Sequence, residues 1–223
     1  MKNLYLLHYC LLLSFLLPLW QVNAQSKLAK SPFRAKLIVG ANGSQLDGDG
    51  LSGFNQPGLL LGAGMAIQLN EKWSFEPEML FSQLGSRSSN REQVQTMLLQ
   101  RIRVNTIELP VMFNYNVNGQ LVLSAGLSPN VITLARVDAG NNIGYENETS
   151  RFRTVFGNAI VSMEYNVTPT FALNLRYSYG VSSMIDGSNE DFLRRTFAGY
   201  RVGLLNNTIG FSIRYLFKGS VEN

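Results

Sequence analysis

The sequence has few of the side chains that most enzymes and metal sites use. Its 223 residues include one Cys (Cys10) and one His (His8), and both lie within the first 24 residues. If that segment is removed on export, the remaining chain can form no disulfide, no Cys/His zinc site, no Ser-His-Asp triad and no Cys-His dyad. We therefore expect no metal, no cofactor and no catalytic residue.

Charge and long apolar runs are also scarce. Charged residues make up 15% of the chain, against roughly 25% in typical soluble domains. Beyond the N-terminus no segment has the roughly 20 consecutive apolar residues of a membrane helix. The net charge of +4 comes without a basic run, so nucleic acid is not an expected partner. Low charge without a spanning helix favours a transmembrane β-barrel.

The N-terminus has the three parts of an export signal. A short positive start precedes an apolar run over 4–20, and the small residues of 22–24 have the spacing of a cleavage site. This pattern predicts a cleaved signal peptide at 1–24 and a short periplasmic segment at 25–32. A retained membrane helix is the alternative, but the run is short and interrupted by Pro18.

The rest of the chain alternates between apolar and polar residues, with the period of two that a half-buried β-strand produces. The alternation recurs eight times between turn or loop signals. The predicted strands are 33–41, 58–69, 72–84, 106–117, 120–131, 154–167, 170–180 and 205–217.

The connections between these strands alternate in length. Three are tight turns, and four are long and rich in Gly, Ser, Asn and charge: 42–57, 85–105, 132–153 and 181–204. This asymmetry is typical of outer-membrane barrels, which have short periplasmic turns and longer extracellular loops. The fold class is therefore predicted as all-β: an eight-stranded antiparallel up-and-down transmembrane β-barrel at 33–217, followed by a short tail at 218–223.

The two faces of the predicted strands differ in composition. The odd-numbered faces are apolar and uncharged, as expected against lipid, and aromatic residues cluster on them at the strand ends next to the short turns. Rings at that height form the aromatic girdle of a membrane barrel. The predicted periplasmic girdle consists of Trp73, Phe75, Phe113, Tyr115, Tyr165, Phe171, Tyr215 and Phe217.

The even-numbered faces carry mainly Gly, Ser and Asn, which suit a narrow lumen. They also hold four basic and four acidic residues on opposite walls of the predicted barrel. We interpret these as an ion-pair network that fills the lumen, and a polar conduit or gate is the alternative. The predicted network consists of Arg34, Lys36, Glu76, Glu78, Glu108, Glu164, Arg176 and Arg214.

Two stretches resemble a known family. The strand motif Ile107-Glu108-Leu109-Pro110-Val111, followed after a tight turn by 123–129 with Ser128-Pro129, is similar to PorT-like outer-membrane β-barrel proteins. The resemblance covers nearly the whole exported chain. It implies a small barrel of this fold and an accessory role in secretion across the outer membrane, and it carries over no catalytic residue.

Three other features have a chemical alternative. Glu76 and Glu78 lie two apart on one face, as a paired-carboxylate site would require, but ion pairing across the lumen is the preferred interpretation. The run 47–50 begins like a calcium loop, although 51–52 do not continue the pattern. Helix-like spacing within 85–105 indicates either a helical turn or longer strands.

The last long loop carries a mixed-charge cluster that could bind a partner or lipid phosphates: Asp186, Glu190, Asp191, Arg194 and Arg195. The preferred function is that of a monomeric integral outer-membrane protein with a structural or interaction role. Its expected partners are outer-membrane lipid and a protein or ligand contacted through the loops. A lipid-modifying enzyme and a narrow pore are the alternatives.

Overall fold

The computed structural model describes residues 33–90, 92, 100–140, 144–185 and 203–217. The predicted signal peptide (1–24), periplasmic segment (25–32) and tail (218–223) lie outside these residues. The described chain forms ten β-strands and a 3-10 turn at Thr149–Arg151. In chain order the strands are β1 (Phe33–Asp47), β2 (Gln56–Gln68), β3 (Trp73–Arg87), β4 (Arg101–Glu108), β5 (Val111–Asn116), β6 (Leu121–Asp138), β7 (Glu146–Asn147), β8 (Val155–Asn166), β9 (Phe171–Gly180) and β10 (Leu205–Leu216).

The strands close into a single antiparallel barrel. Each long strand pairs with its neighbours in the chain, and β1 pairs with β10 from Lys36 opposite Leu216 to Asp47 opposite Leu205. This seam removes the free edges that an open sheet would have.

β4 and β5 together form one wall strand of the barrel, interrupted at Leu109-Pro110. Proline has no N–H to donate to a neighbour, but pairing continues around it: the Glu78 N–H donates to the Pro110 carbonyl (2.9 Å), and the Leu109 N–H donates to the Pro129 carbonyl (3.0 Å). With β4 and β5 counted as one, and the two-residue β7 as an addition to β6, the wall has eight strands. The predicted fold class is confirmed.

The strands extend further than predicted at the end of the barrel that carries the long loops, which we call the loop end. β1 continues to Asp47 and β6 to Asp138, and the segment 85–105 begins and ends in strand. The polar and Gly-rich composition of these extensions resembles that of loops, and for that reason the predicted strands stop short of the observed ones at this end. Of the four residues whose spacing suggested a helical turn, Arg101 begins β4, and Val94, Met97 and Leu98 lie outside the described residues.

A β-bulge in β6 reverses its two faces. Asn105 pairs with Leu134 and Thr106 with Ile132, which leaves Thr133 as the extra residue. Before the bulge the odd-numbered residues of β6 point outwards, and after it the even-numbered residues do, so Arg136 is exposed and Val137 is buried. A bulge of this kind cannot be detected from strict alternation.

The outer surface below the loop end is apolar. Large hydrophobic side chains at odd-numbered positions are exposed on every wall strand, including Leu61, Met79, Leu123, Val161 and Phe211. A band of this extent exceeds the apolar patches of soluble monomers and fits contact with lipid. In the part of the chain that the structure describes, no helix is long and apolar enough to span a membrane.

Candidate functional site

Four charged side chains form a closed ring across the lumen. Lys36 Nζ lies 2.8 Å from Glu76 Oε2 and 3.0 Å from Glu164 Oε1. Arg214 Nη1 lies 3.2 Å from Glu76 Oε1 and 2.9 Å from Glu164 Oε2. Each cation therefore lies between the same two carboxylates, one on β3 and one on β8, and all four residues are buried.

A second layer adjoins this ring on the loop-end side. Arg214 Nη2 lies 3.0 Å from Glu78 Oε1, and Arg176 Nη2 donates a hydrogen bond to Glu78 Oε2. The Asn114 side-chain amide donates to Glu76 Oε2 at 2.7 Å. We call Lys36, Glu76, Glu78, Glu164, Arg176 and Arg214 the lumen charge cluster. Its three positive and three negative charges balance, as buried charges require.

The other two members of the predicted network lie elsewhere. Arg34 lies at the opposite end, which carries the short turns and which we call the turn end; there it donates a hydrogen bond to the Pro169 carbonyl. Glu108 is buried and forms no ion pair within the described residues. With Arg176 it lines a lumen cavity of about 10 Å³, roughly the space that one water needs. The sequence placed Glu108 on the correct face but could not give its depth relative to the cations.

The loop end of the lumen is filled by apolar side chains, a feature that the sequence analysis missed. This cluster, the outer plug, comprises Leu46, Leu84, Ile102, Val104, Ile132, Ala135, Val137, Phe152, Phe156, Met184, Ile185 and Leu204. The prediction of a small and polar inner face therefore fails near this end. The signal was present in the alternation of Ile102 and Val104 with arginines, but it lay in a stretch interpreted as loop.

Asp49 is buried at the loop end. Its Oδ1 accepts a hydrogen bond from the Leu51 N–H at 2.8 Å, and the Ser86 hydroxyl faces the same carboxylate, so both groups oppose the effect of burial on its pKa. Burial raises the pKa of Asp49 to about 7, and the negative charges of Asp47 and Glu92 act in the same direction. The run 47–50 thus forms the end of β1 and a turn in which Asp49 is buried and Gly50 is exposed.

The described residues bring no three His, Cys, Asp or Glu side chains together in a way that could hold a metal ion. Asp47 instead accepts hydrogen bonds from the Gln45 and Asn207 side-chain amides, at 2.9 and 3.2 Å. The mixed-charge cluster of the last loop, 186–195, lies outside the described residues.

The aromatic residues predicted for the girdle lie together at the turn end. Trp73 and Tyr115 have ring centroids 4.9 Å apart, and Phe75 and Phe113 are 5.4 Å apart. Near the seam, the ring centroid of Tyr215 lies 5.3 Å from that of Phe171 and 5.0 Å from that of Phe217. Tyr165 is paired with Leu121 at the same height.

A closed eight-stranded wall, an apolar outer band and an aromatic rim define an integral membrane β-barrel protein. The sequence pattern of a known family, described as the outer membrane protein beta-barrel domain, matches residues 23–186. The chain belongs to this family and is therefore an integral outer-membrane protein. No curated protein matches the sequence.

Two of the solved structures that share the fold are Ail and Neisserial surface protein A. Ail, the attachment invasion locus protein of Yersinia pestis, is 13% identical; the alignment covers 84% of this chain and 100% of Ail, with a TM-score of 0.50. Neisserial surface protein A is 12% identical, with 84% of this chain and 98% of that protein covered and a TM-score of 0.51. At these identities the similarity concerns the fold alone.

Proposed function

We propose that the protein is a small, monomeric, non-enzymatic barrel that acts through the surface at its loop end, where it binds a partner protein or ligand. The barrel would serve as a rigid support, and its role in the membrane would be structural or interactive. With the family's usual orientation, the turn end faces the periplasm and the loop end faces outside.

The observation that supports this proposal is the filling of the lumen. Eight strands enclose a space that side chains can fill. Here the lumen charge cluster occupies the middle of the barrel, and the outer plug occupies the loop end. A filled lumen favours a function that uses the outer surfaces of the barrel over one that passes a solute through it.

The height of the wall at the loop end also supports an interaction role. A spanning strand needs roughly 9–11 residues, whereas β6 has 18 and β1 and β3 have 15 each. The strands therefore continue beyond the membrane, and the long loops connect the ends of these extensions. Binding residues are commonly presented in this way, on loops positioned by a rigid scaffold.

We further propose an accessory role in secretion across the outer membrane. This part rests on the resemblance to PorT-like proteins at 107–111 and 123–129. In the fold, these stretches form the Pro110 interruption and the facing part of β6. They shape the wall, and the resemblance carries over no catalytic residue.

Site-specific photo-crosslinking in cells tests the interaction role. A crosslinking amino acid in place of Phe54 or Tyr145, which are exposed at the loop end, should yield a discrete protein adduct. The matched control replaces Leu123, which is similarly exposed but lies on the lipid-facing band. Adducts that are identical at all three positions, or absent from the loop-end positions, would contradict the proposal.

Electrical recording tests the closed lumen. The refolded barrel in a planar bilayer should give no steady current, because charged and apolar side chains occupy the path. A stable open level would contradict this part of the proposal and favour the narrow pore.

A further inference from the structure

Four arginines lie on the outward face of the wall at the loop end. They are Arg87 on β3, Arg101 and Arg103 on β4, and Arg136 on β6, and we call them the rim arginines. Arg136 belongs to this group only because the bulge at Thr133 turns it outwards. The residues between them, such as Ile102 and Val137, point into the outer plug.

The rim arginines are placed directly opposite one another across neighbouring strands. Arg87 pairs with Arg101, and Arg103 pairs with Arg136. Like charges at directly opposite positions destabilise a sheet. Two such pairs on three adjacent strands therefore work against the stability of the isolated fold.

No carboxylate among the described residues forms an ion pair with any of the rim arginines, although two acidic side chains lie nearby. Asp138 lies opposite Arg101 in the register but forms no ion pair with it there. Arg101 Nε is buried and has no hydrogen-bond partner in the described part of the chain. The guanidinium of Arg103 lies 5.7 Å from the ring centroid of Tyr145, which leaves its hydrogen-bond donors available. The acidic residue Glu146 is also at this rim, opposite Val137.

The height of Arg103 and Arg136 matches the headgroup region of a membrane, and Arg87 and Arg101 lie two residues further out along their strands. Phe81 and Ile107, which pair with each other, are the last apolar outward residues on β3 and β4, and Gln83 and Asn105 follow. Arg103 is four residues beyond Ile107, about 13 Å along the strand, or about 10 Å along the membrane normal for a tilted strand. Phosphate groups of lipid lie just beyond the hydrocarbon.

We propose that the rim arginines bind the phosphate groups of anionic glycolipid in the outer leaflet. Guanidinium groups form paired, charge-assisted hydrogen bonds with phosphate oxygens. A phosphate between Arg103 and Arg136, or between Arg87 and Arg101, converts a repulsive pair into two attractive contacts. The apolar band directly below continues the same lipid contact to the acyl chains.

The test uses the refolded barrel in zwitterionic detergent with lipid A, a phosphorylated glycolipid, as the probe. Native mass spectrometry measures lipid A retention by the parent, by R103Q/R136Q and by the control R34Q/K72Q, which removes two positive charges at the turn end. R103Q/R136Q should weaken retention at least about tenfold, the effect of one charge-assisted hydrogen bond. The control should stay within about twofold of the parent, because its charges lie at the other rim.

Urea unfolding of the same samples gives a second, independent measurement. Without lipid A, R103Q/R136Q should unfold at the same urea concentration as the parent or a higher one, because a like-charge pair is gone. With lipid A, the parent should be stabilised more than the variant. A variant that is as stable as the parent without lipid A but less stable than the parent with lipid A has lost lipid binding and not its fold. R136Q alone serves as a milder variant.

Three results would overturn the proposal. Equal weakening in R103Q/R136Q and R34Q/K72Q would indicate non-specific attraction. Equal retention of dephosphorylated lipid A would exclude phosphate recognition. Displacement of lipid A by millimolar inorganic phosphate would assign the site to a soluble anion and not to the membrane.

Discussion

Replacing Arg214 by Met should strongly destabilise the folded barrel. Arg214 reaches Glu76, Glu78 and Glu164, at 3.2, 3.0 and 2.9 Å, with only 3% of its surface exposed. Without it, three buried carboxylates share two cations. Removing one partner from a buried ion pair costs about 3–5 kcal/mol, because the remaining charge is left uncompensated.

The assay is urea unfolding of the refolded barrel in lipid vesicles, followed by Trp73 fluorescence and by heat-modifiability on gels. Arg34→Met is the matched control. It removes the same charge at the turn end, where the Arg34 side chain donates a hydrogen bond to the Pro169 carbonyl and forms no ion pair among the described residues. The control should change the free energy of unfolding by less than about 1 kcal/mol, as exposed substitutions usually do.

A double-mutant cycle with Glu164→Gln identifies the cause. R214M/E164Q restores the charge balance of the lumen charge cluster, so its cost should fall below the sum of the single costs by at least about 1 kcal/mol. Additive costs, or an R214M variant within about 1 kcal/mol of the parent, would refute the reasoning.

Three further predictions concern the lipid face, the loop end and the seam. Val161→Arg should cost about 2–4 kcal/mol in vesicle unfolding and Leu69→Arg about 0–1 kcal/mol, because the cost depends on depth in the bilayer; equal costs would contradict the membrane assignment of Val161. Because the folded chain binds the Asp49 proton more tightly than the unfolded chain, the parent should lose stability as the pH rises from about 4 through about 7. Asp49→Asn should therefore match the parent at pH 4 and exceed it by about 1–3 kcal/mol at pH 8, and equal unfolding midpoints at pH 8 would contradict the burial of a charge there. Gly40→Ala should weaken the barrel because its Cβ would lie 2.2 Å from the Phe211 carbonyl oxygen, whereas Gly43→Ala meets nothing closer than 3.4 Å; similar unfolding midpoints for the two variants would refute the steric argument.

The wall of the barrel could be predicted from the sequence because membrane and lumen impose opposite chemistry on alternate residues. Leu123 and Ser124 illustrate this contrast, since one meets lipid and the other the lumen. The turn end could also be predicted, because aromatic residues cluster there and the turns that connect its strands are short.

The loop end could not be predicted in the same way. At this end the outward face meets water or loops and the inward face meets the outer plug. The alternation of apolar and polar residues therefore no longer indicates which face points outwards. The bulge at Thr133 reverses the faces of β6, so a fixed odd and even rule assigns Arg136 and Val137 to the wrong sides. Ion-pair partners depend on strand tilt and register, and for this reason Arg34 and Glu108 shared the predicted face but not the lumen charge cluster.

The seam between β1 and β10 has a kinetic consequence. The other pairings between long strands join strands that follow one another in the chain, so these pairings can form one after another. The seam pairs Lys36 with Leu216 and can form only when all the other strands are in place. Pairing over such a sequence distance is slow because loop-closure entropy is lost first. The contacts of Lys36 with Glu164 and of Arg214 with Glu76 span 128 and 138 residues. Before the seam forms, these charged side chains lack their partners across the lumen. Transfer of the open sheet into lipid would then bury unpaired charge, which is unfavourable. Insertion of the barrel into the membrane is therefore coupled to closure of the seam.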